Sequence, residues 1–339
     1  MQNPKELSIF PPMPRKAEWL QPITLWATLG ALFVALQFYV FGAWITSGSF
    51  RATDVGPDPI PSISLIGVRV YEVMSVISLA VVIPWFYIGI RKTGRIDHFR
   101  LLMIGFLATY WSDPWLNFLR PMFTYNAYAF NRGCWCEFIP FWQSANGSRI
   151  AEPLLIDGPA YFFSFAGTVW AALWSMRKAQ QRWPRMPSVG LCLMAFTGVW
   201  ISMGLLDVFA TRVIHFDAWP GAFHAASFWG GSFYQFPIYE FVLFPTIFVV
   251  CAFVILRAAP NGETSIERGL HAMSGLGVKS RETLRVLAFV GLCNVLNLTY
   301  TTALGVHALA VDPWPADMPS WLANEQCGTI TGRACESAK

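Results

Sequence analysis

Seven long apolar stretches divide the chain, and no other feature restricts its possible folds as strongly. A transmembrane helix needs about 20 consecutive apolar residues to cross the hydrocarbon core of a bilayer. The predicted spans are residues 23–45, 68–90, 101–121, 159–176, 189–209, 237–256 and 284–309. The sequence therefore predicts an all-α, polytopic membrane protein built as a seven-helix bundle.

The composition supports this prediction. Only 13% of the 339 residues are charged, about half the share in a soluble domain, whereas 55% are hydrophobic. A soluble protein of this composition would expose large apolar patches. We therefore exclude a soluble enzyme, a disordered protein and a nucleic-acid-binding protein, and we assign the net charge of +4 to the loops.

Lysine and arginine residues set the predicted orientation, because short cytoplasmic loops carry an excess of both. With a cytoplasmic N-terminus, sixteen of the 24 Lys and Arg residues fall on the inner side. This predicts an N-inside, C-outside, multi-pass protein of the plasma membrane, in contact with its lipids. The segments are then a cytoplasmic arm (1–22), the membrane domain (23–309) and an extracytoplasmic tail (310–339). We expect the long outer loop 122–158 to fold as a lid.

Four of the seven cysteines lie on the predicted outer side, which favours disulfides there. They are Cys134, Cys136, Cys327 and Cys335. Four cysteines allow three pairings, of which Cys327–Cys335 is the simplest because it closes a hairpin in the tail. A metal site is the competing interpretation, but Cys-x-Cys without a second spaced pair is a weak zinc signal.

Ionisable residues inside spans are expensive to bury and are therefore candidate functional residues. Here they are Glu72, Asp113, Asp207 and Glu240, and if the spans alternate in direction all four lie in the same half of the membrane. A buried carboxyl group favours its neutral form and can act as a general acid, while a second acid serves as base. Nearby aromatic rings could stabilise a cationic intermediate.

Two rows of polar residues, each on one predicted helix, support the prediction of a buried functional site. Asp113, Asn117 and Arg120 have the spacing of one α-helical face, and Asn294 and Asn297 form a similar stripe on the seventh span. His215 lies just beyond, in an outer loop. We interpret these side chains as the lining of a polar cavity. The alternative is that they form hydrogen bonds between helices, and that Asp113 and Arg120 form an ion pair that holds helix ends together.

Several functions are excluded by what the spans lack. No lysine falls inside a span, which excludes a retinal Schiff base, and clustered histidine boxes of a di-iron oxygenase are missing. The sequence contains no dinucleotide fingerprint, phosphate-binding glycine loop or Gly-x-Ser-x-Gly elbow. We therefore expect chemistry without a cofactor or metal, or binding or transport of a lipophilic molecule.

Five segments carry recognisable motifs: 111–117 (WSDPWLN), 121–128 (PMFTYNAY), 152–155 (EPLL), 234–240 (YQFPIYE) and 261–269 (NGETSIERG). Together they resemble the AveC-like spirocyclase family of actinobacteria. The family is named for a membrane protein of secondary metabolism that forms a spiroketal from a dihydroxy-ketone and can also dehydrate the product. The resemblance implies a cofactor-free spirocyclase or dehydratase acting on a lipophilic, polyketide-like or lipid substrate.

The resemblance and the buried residues indicate the same positions. They imply Asp113 as general acid, Glu240 as its partner or base, and Asp207 and Glu72 as second choices. Asn117 and Tyr125 would position the substrate. Further candidates for substrate binding are Arg120, Asn126, His215, Tyr239, Asn294 and Asn297.

Two other functions fit the same sequence. An isoprenoid-type membrane cyclase needs one acid in an aromatic pocket and would use the same residues. A transporter or binding protein for lipids or small molecules would use the acids for proton coupling or ligand binding. The sequence specifies neither the substrate nor the oligomeric state.

Overall fold

The computed structural model describes residues 21–273 and 275–326, and the chain there is mostly helical. Its α-helices of ten or more residues are α1 (Pro22–Thr46), α2 (Ser62–Thr93), α3 (His98–Leu107), α4 (Phe165–Arg182), α5 (Ser188–Phe209), α6 (Glu240–Leu256) and α7 (Val278–His307). Four are long and apolar enough to cross a membrane, namely α1, α2, α5 with its extension to Ile214, and α7. The seven-span count and the orientation stay predictions.

Helix α7 is the centre of the bundle, where it packs against α1, α3 and α6. The contact with α1 is close enough to require glycine on both sides. A Cβ atom on Gly30 would lie 1.9 Å from the carbonyl oxygen of Leu287, and one on Gly291 would lie 2.4 Å from that of Trp26. Small residues at such crossings let helix backbones approach closely, as in membrane proteins generally.

The third predicted span, residues 101–121, is not one continuous α-helix. Helix α3 ends at Leu107, and residues Tyr110–Asn117 form a 3₁₀ helix instead. Pro114 accounts for the change, since it has no backbone N–H and its ring clashes with the carbonyl four residues earlier in an α-helix. The predicted α-helical face shared by Asp113, Asn117 and Arg120 is therefore wrong.

The segment 122–158 folds onto the end of the bundle, and we refer to it as the lid. Strand β1 (Thr124–Tyr125) of the lid pairs antiparallel with β2 (Asp217–Ala218), which follows α5. A second short pair joins β3 (Ser227–Phe228) to β4 (Phe236–Pro237). Within the lid, the indole of Trp135 is fully buried and donates to the carbonyl oxygen of Trp111 at 2.6 Å. These contacts fix the lid against the 3₁₀ helix.

The lid also contains a disulfide bond between Cys134 and Cys136. Cys192, Cys251 and Cys293 lie in helices and are free thiols. The predicted pair Cys327–Cys335 lies outside the described residues.

At the opposite end of the bundle, Glu267 joins two helices to the loop before α7. Its carboxylate accepts hydrogen bonds from the Arg285 side chain at 2.7 Å, from the Thr264 hydroxyl at 2.7 Å and from His98 Nε2 at 3.1 Å. Although burial opposes ionisation, these donors and charges lower the pKa of Glu267 to about 2. Glu267 is thus an ionised structural residue that joins α3 and α7.

Candidate functional site

The 3₁₀ helix that interrupts the third span presents Asp113 to the interior, and two amides of α7 hold it there. Asn294 Oδ1 accepts a hydrogen bond from the Trp111 indole at 2.8 Å, and Asn297 Nδ2 donates to the Ser112 hydroxyl at 3.1 Å. All four side chains are buried. Because these bonds hold the two residues directly before Asp113, they fix the backbone from which its carboxylate projects.

Both carboxylate oxygens of Asp113 accept a hydrogen bond from a tyrosine. Tyr161 donates to Oδ1 at 2.6 Å, and Tyr125, on strand β1, donates to Oδ2 at 2.8 Å. Burial raises the pKa of Tyr125 well above its ordinary value of 10, so its hydroxyl keeps its proton at neutral pH. Two short donors of this kind stabilise the ionised form of Asp113.

Two further carboxyl groups, Glu152 and Asp157, lie beside Asp113, and both belong to the last seven residues of the lid. Oxygen atoms of Asp113, Glu152 and Asp157 all lie within 4.8 Å of one another. Glu152 is fully buried, and neither of its oxygens has a hydrogen-bond donor within reach among the described residues; the same is true of Asp157 Oδ2. Burial, followed by the charge of Asp113, raises the pKa of both Glu152 and Asp157 well above their ordinary values. At least one proton is therefore held within this carboxyl triad.

The carboxyl triad is also the group of described residues that could hold a metal ion. Hard divalent cations such as Mg²⁺ and Ca²⁺ prefer carboxylate oxygens. However, both oxygens of Asp113 already accept hydrogen bonds from tyrosines. Neither oxygen of Asp113 is therefore left without a partner, whereas Glu152 and Asp157 keep unpartnered oxygens among the described residues.

A cavity of about 400 Å³ opens beside the carboxyl triad. Its acidic lining consists of Asp113 and Asp157 from the carboxyl triad and of a second group of acids, Asp207, Asp217 and Glu240. The remaining polar lining consists of hydroxyl groups, and no Lys, Arg or His is among the described residues that line it. The volume falls within the usual range for small-molecule sites, about 300–1,000 Å³.

The second group of acids is held by hydroxyl groups of neighbouring elements. Tyr300, on α7, donates to Glu240 Oε1 at 3.0 Å, while Glu240 Oε2 has no partner among the described residues. The Thr211 hydroxyl donates to Asp217. Burial raises the pKa of Asp217 to about 7, so this group titrates near neutral pH.

Four residues of the sequence prediction thus line one cavity: Asp113, Tyr125, Asp207 and Glu240. The fourth predicted carboxylate, Glu72, lies elsewhere. It accepts hydrogen bonds from Arg69 on its own helix and from the backbone N–H of Phe130, both at 2.6 Å. Glu72 therefore joins α2 to the lid.

The predicted amides have structural partners and do not line the cavity. Asn117 Oδ1 accepts from the backbone N–H groups of Met122 and Phe123, and Asn126 Nδ2 donates to the carbonyl oxygen of His215. Asn294 and Asn297 hold the 3₁₀ helix as described above.

The other three candidates for substrate binding also lie outside the cavity lining. Arg120 follows the 3₁₀ helix and makes no ion pair with Asp113, although both residues are described. The ring of Tyr239 packs against His307. His215 Nδ1 lies 2.9 Å from the Ser64 hydroxyl, and burial together with nearby Arg212 lowers the pKa of His215.

Sequence reasoning missed several side chains that contact these acids. Glu152 begins one of the segments that carry the family resemblance, and that was the available signal for it. Asp157 lies in the predicted outer loop just beyond the two rows of polar residues, and this position was a signal for it, whereas Asp217 and the hydroxyls of Tyr161 and Tyr300 gave none. Their roles depend on which elements meet when the lid closes over the bundle.

The family model described as "Spirocyclase AveC-like" matches residues 94–323, which is more than half of the chain. The matched region contains all six carboxyl groups of the two acid clusters and the tyrosines that donate to them. No curated protein and no solved structure matches this chain. Because the family model matches more than half of its residues, the chain belongs to the AveC-like spirocyclase family.

Proposed function

We propose that this protein is a multi-pass membrane enzyme that forms spiroketals, or dehydrates them, by cofactor-free acid–base catalysis on a lipophilic polyketide-like or lipid substrate. Membership of the AveC-like family suggests a cyclase or dehydratase type of activity. The observation that carries the proposal is the unequal surroundings of two neighbouring carboxyl groups in one cavity. Asp113 accepts hydrogen bonds from two tyrosines, whereas Asp157 Oδ2 has no donor among the described residues.

These surroundings favour different roles for the two acids. Asp113 is stabilised as a carboxylate and suits the role of base, while Asp157 is favoured in its protonated form and suits that of general acid. The sequence assigned the general acid to Asp113, and the hydrogen bonds favour the opposite assignment. Glu240 and Asp207, from the second group of acids, stabilise positive charge in the substrate.

The reaction then needs only these groups. A dihydroxy-ketone closes to a hemiketal, and Asp157 protonates the hemiketal hydroxyl, which leaves as water. The resulting oxocarbenium ion is captured by the second hydroxyl group, whose proton passes to Asp113. The products are the spiroketal and one water molecule, and no electron transfer occurs.

The catalytic cycle must also return the proton from Asp113 to Asp157. Glu152 contacts both within the carboxyl triad and touches no described polar group outside it. It is therefore the path by which the proton returns, and it resets the general acid without contacting the substrate. Proton transfers of this kind typically contribute about 10²- to 10⁴-fold to the rate.

The proposal is tested with membranes that contain the protein and a synthetic lipophilic dihydroxy-ketone at neutral pH. Mass spectrometry should show a product lighter by one water, and chiral chromatography should show one stereoisomer in excess over the uncatalysed reaction. Asp157→Asn and Asp113→Asn should each lower the rate at least about hundredfold. Asp317→Asn, which removes an exposed acid outside the cavity lining, is the matched control.

Equal rates in the control and in both active-site variants would show that the acids do not catalyse the reaction. If the compound is not converted but moves between the two sides of sealed vesicles, the protein is a transporter. The catalytic assignments would then be withdrawn.

A further inference from the structure

The charges around the cavity are of one kind. Five carboxyl groups line it, and no Lys, Arg or His does among the described residues. Two of these acids, Asp157 and Glu240, are more than nine-tenths buried, and each has one oxygen without a hydrogen-bond partner there. An unpartnered buried carboxyl oxygen costs free energy unless a ligand satisfies it.

The apolar part of the lining is suited to the same kind of ligand. It presents six aromatic rings besides the tyrosines: Phe123, Phe165, Phe216, Trp219, Phe236 and Phe244. The face of an aromatic ring attracts organic cations electrostatically, and more strongly where water is excluded. Carboxylates and ring faces together favour a bulky, weakly hydrated positive charge.

We propose that the cavity selects ligands by charge: it binds lipophilic organic cations, accepts neutral molecules more weakly, and excludes molecules that carry a carboxylate, sulfonate or phosphate into it. The substrate of the proposed function would then be uncharged at its reacting segment and would become cationic only during the reaction. Prenyl diphosphates and free fatty acids would be excluded as substrates. This inference rests on the proposed function for the location of the site, but it does not depend on which reaction occurs there.

Three probes of nearly equal shape separate charge from fit: benzyltrimethylammonium, neopentylbenzene and benzylsulfonate are positive, neutral and negative, respectively. Binding is measured by calorimetry on the full-length protein in non-ionic detergent, with titration into empty micelles subtracted. We expect the cation to bind at least about tenfold more tightly than the neutral isostere, which corresponds to one charge-assisted contact. The anion should show no binding.

Variants then locate the bound charge. Glu240→Gln should weaken binding of the cation about tenfold and leave binding of neopentylbenzene unchanged. Asp317→Asn should change neither, because this exposed acid does not line the cavity. Equal affinity for the cation and its neutral isostere, or binding of the anion, would overturn the proposal. Because the wild-type comparison needs no substitution, a variant that fails to fold leaves the test intact.

The two proposals fail in different ways. Charge selection without any product from the dihydroxy-ketone would leave the cation site standing and remove the proposed reaction. If the spiroketal forms but the cation and its neutral isostere bind equally, the proposed reaction is retained and the proposed charge selection is rejected. That result would show that Asp207, Asp217 and Glu240 are neutral in the folded protein.

Discussion

Replacement of Glu152 by glutamine would show whether the carboxyl triad holds a shared proton. Glu152 is fully buried, and none of its oxygens has a donor among the described residues. Two ionised carboxylates with oxygens 4.8 Å apart repel each other by about 3.5 kcal/mol at an effective dielectric constant of about 20. The folded protein therefore retains a proton on Glu152 that the unfolded chain releases above its ordinary pKa of 4.5.

Retention of this proton opposes folding as the pH rises. The folded state binds more protons than the unfolded state above pH 4.5, so stability falls by about 1.4 kcal/mol per pH unit while Glu152 stays protonated. The loss continues with rising pH until the raised pKa of Glu152 in the folded state is reached. Glu152→Gln removes this term, and its amide can donate a hydrogen bond to Asp113. We expect the variant to match the wild type near pH 4.5 and to be more stable at pH 7.

The same substitution should impair the enzyme, since glutamine cannot return the proton to Asp157. We expect kcat to fall about hundredfold with little change in KM, because Glu152 does not line the cavity. Apparent Tm is followed by tryptophan fluorescence in non-ionic detergent from pH 4.5 to 8, and turnover is measured on the same preparation. A variant that is less stable at pH 7 would refute the reasoning, because Glu152 would then be an ionised group with a stabilising partner such as a bound cation.

Three further predictions use other contacts. Tyr161→Phe removes the 2.6 Å hydrogen bond to Asp113 and should lower kcat at least about tenfold. Tyr71→Phe removes a hydroxyl group that lines the cavity but does not bond to Asp113, and it should leave kcat unchanged. Equal effects of the two substitutions would contradict a specific role for Tyr161. The pKa of Glu267 is about 2 in the folded protein, against an ordinary value of 4.5. Its contribution of about 3 kcal/mol to the free energy of unfolding should therefore be complete above pH 4.5 and be lost as the pH falls towards 2. A Glu267→Gln variant should lack this acid-dependent loss of stability. Dialysis against a divalent-metal chelator should leave turnover unchanged, and loss of activity that is restored by added cation would mean that the carboxyl triad holds a metal ion.

The helices could be predicted from the sequence because the length of an apolar stretch is a local property. Six of the seven predicted spans overlap helices α1, α2, α4, α5, α6 and α7, with ends that differ by a few residues. The family also followed from the sequence, and three of the four predicted acids, Asp113, Asp207 and Glu240, are among the five that line the cavity. Each of these inferences rests on short windows of sequence.

The partners of those acids could not be predicted, because they depend on contacts between distant parts of the chain. Tyr125 reaches Asp113 only because β1 pairs with β2, which lies about 90 residues later and aligns Thr124 with Ala218. Glu152 reaches Asp113 only because the lid folds back over the 3₁₀ helix. Neither the pairing of β1 with β2 nor the folding of the lid produces a periodic pattern in the sequence.

The structural partners of the amides could not be predicted for a related reason. Asn117, Asn294 and Asn297 were predicted to contact a substrate because polar groups in spans are expensive to bury. The structure shows that this cost can also be offset by backbone groups left free where a helix breaks, as for Asn117 and Asn294, or by a hydroxyl group, as for Asn297. A polar residue next to a helix break is therefore weaker evidence for a ligand than one inside a continuous helix.

The helix break itself connects the fold to the proposed chemistry. Continued as an α-helix, the third span would satisfy its own backbone and would need no amides from α7. Pro114 prevents this, and the resulting 3₁₀ turn is held by Asn294 and Asn297 at fixed distances from α7. Asp113 lies in the middle of that turn, so its carboxylate is positioned by a rigid central helix instead of a flexible loop. Pro114 is thus the residue that allows the third predicted span to present an acid to the cavity.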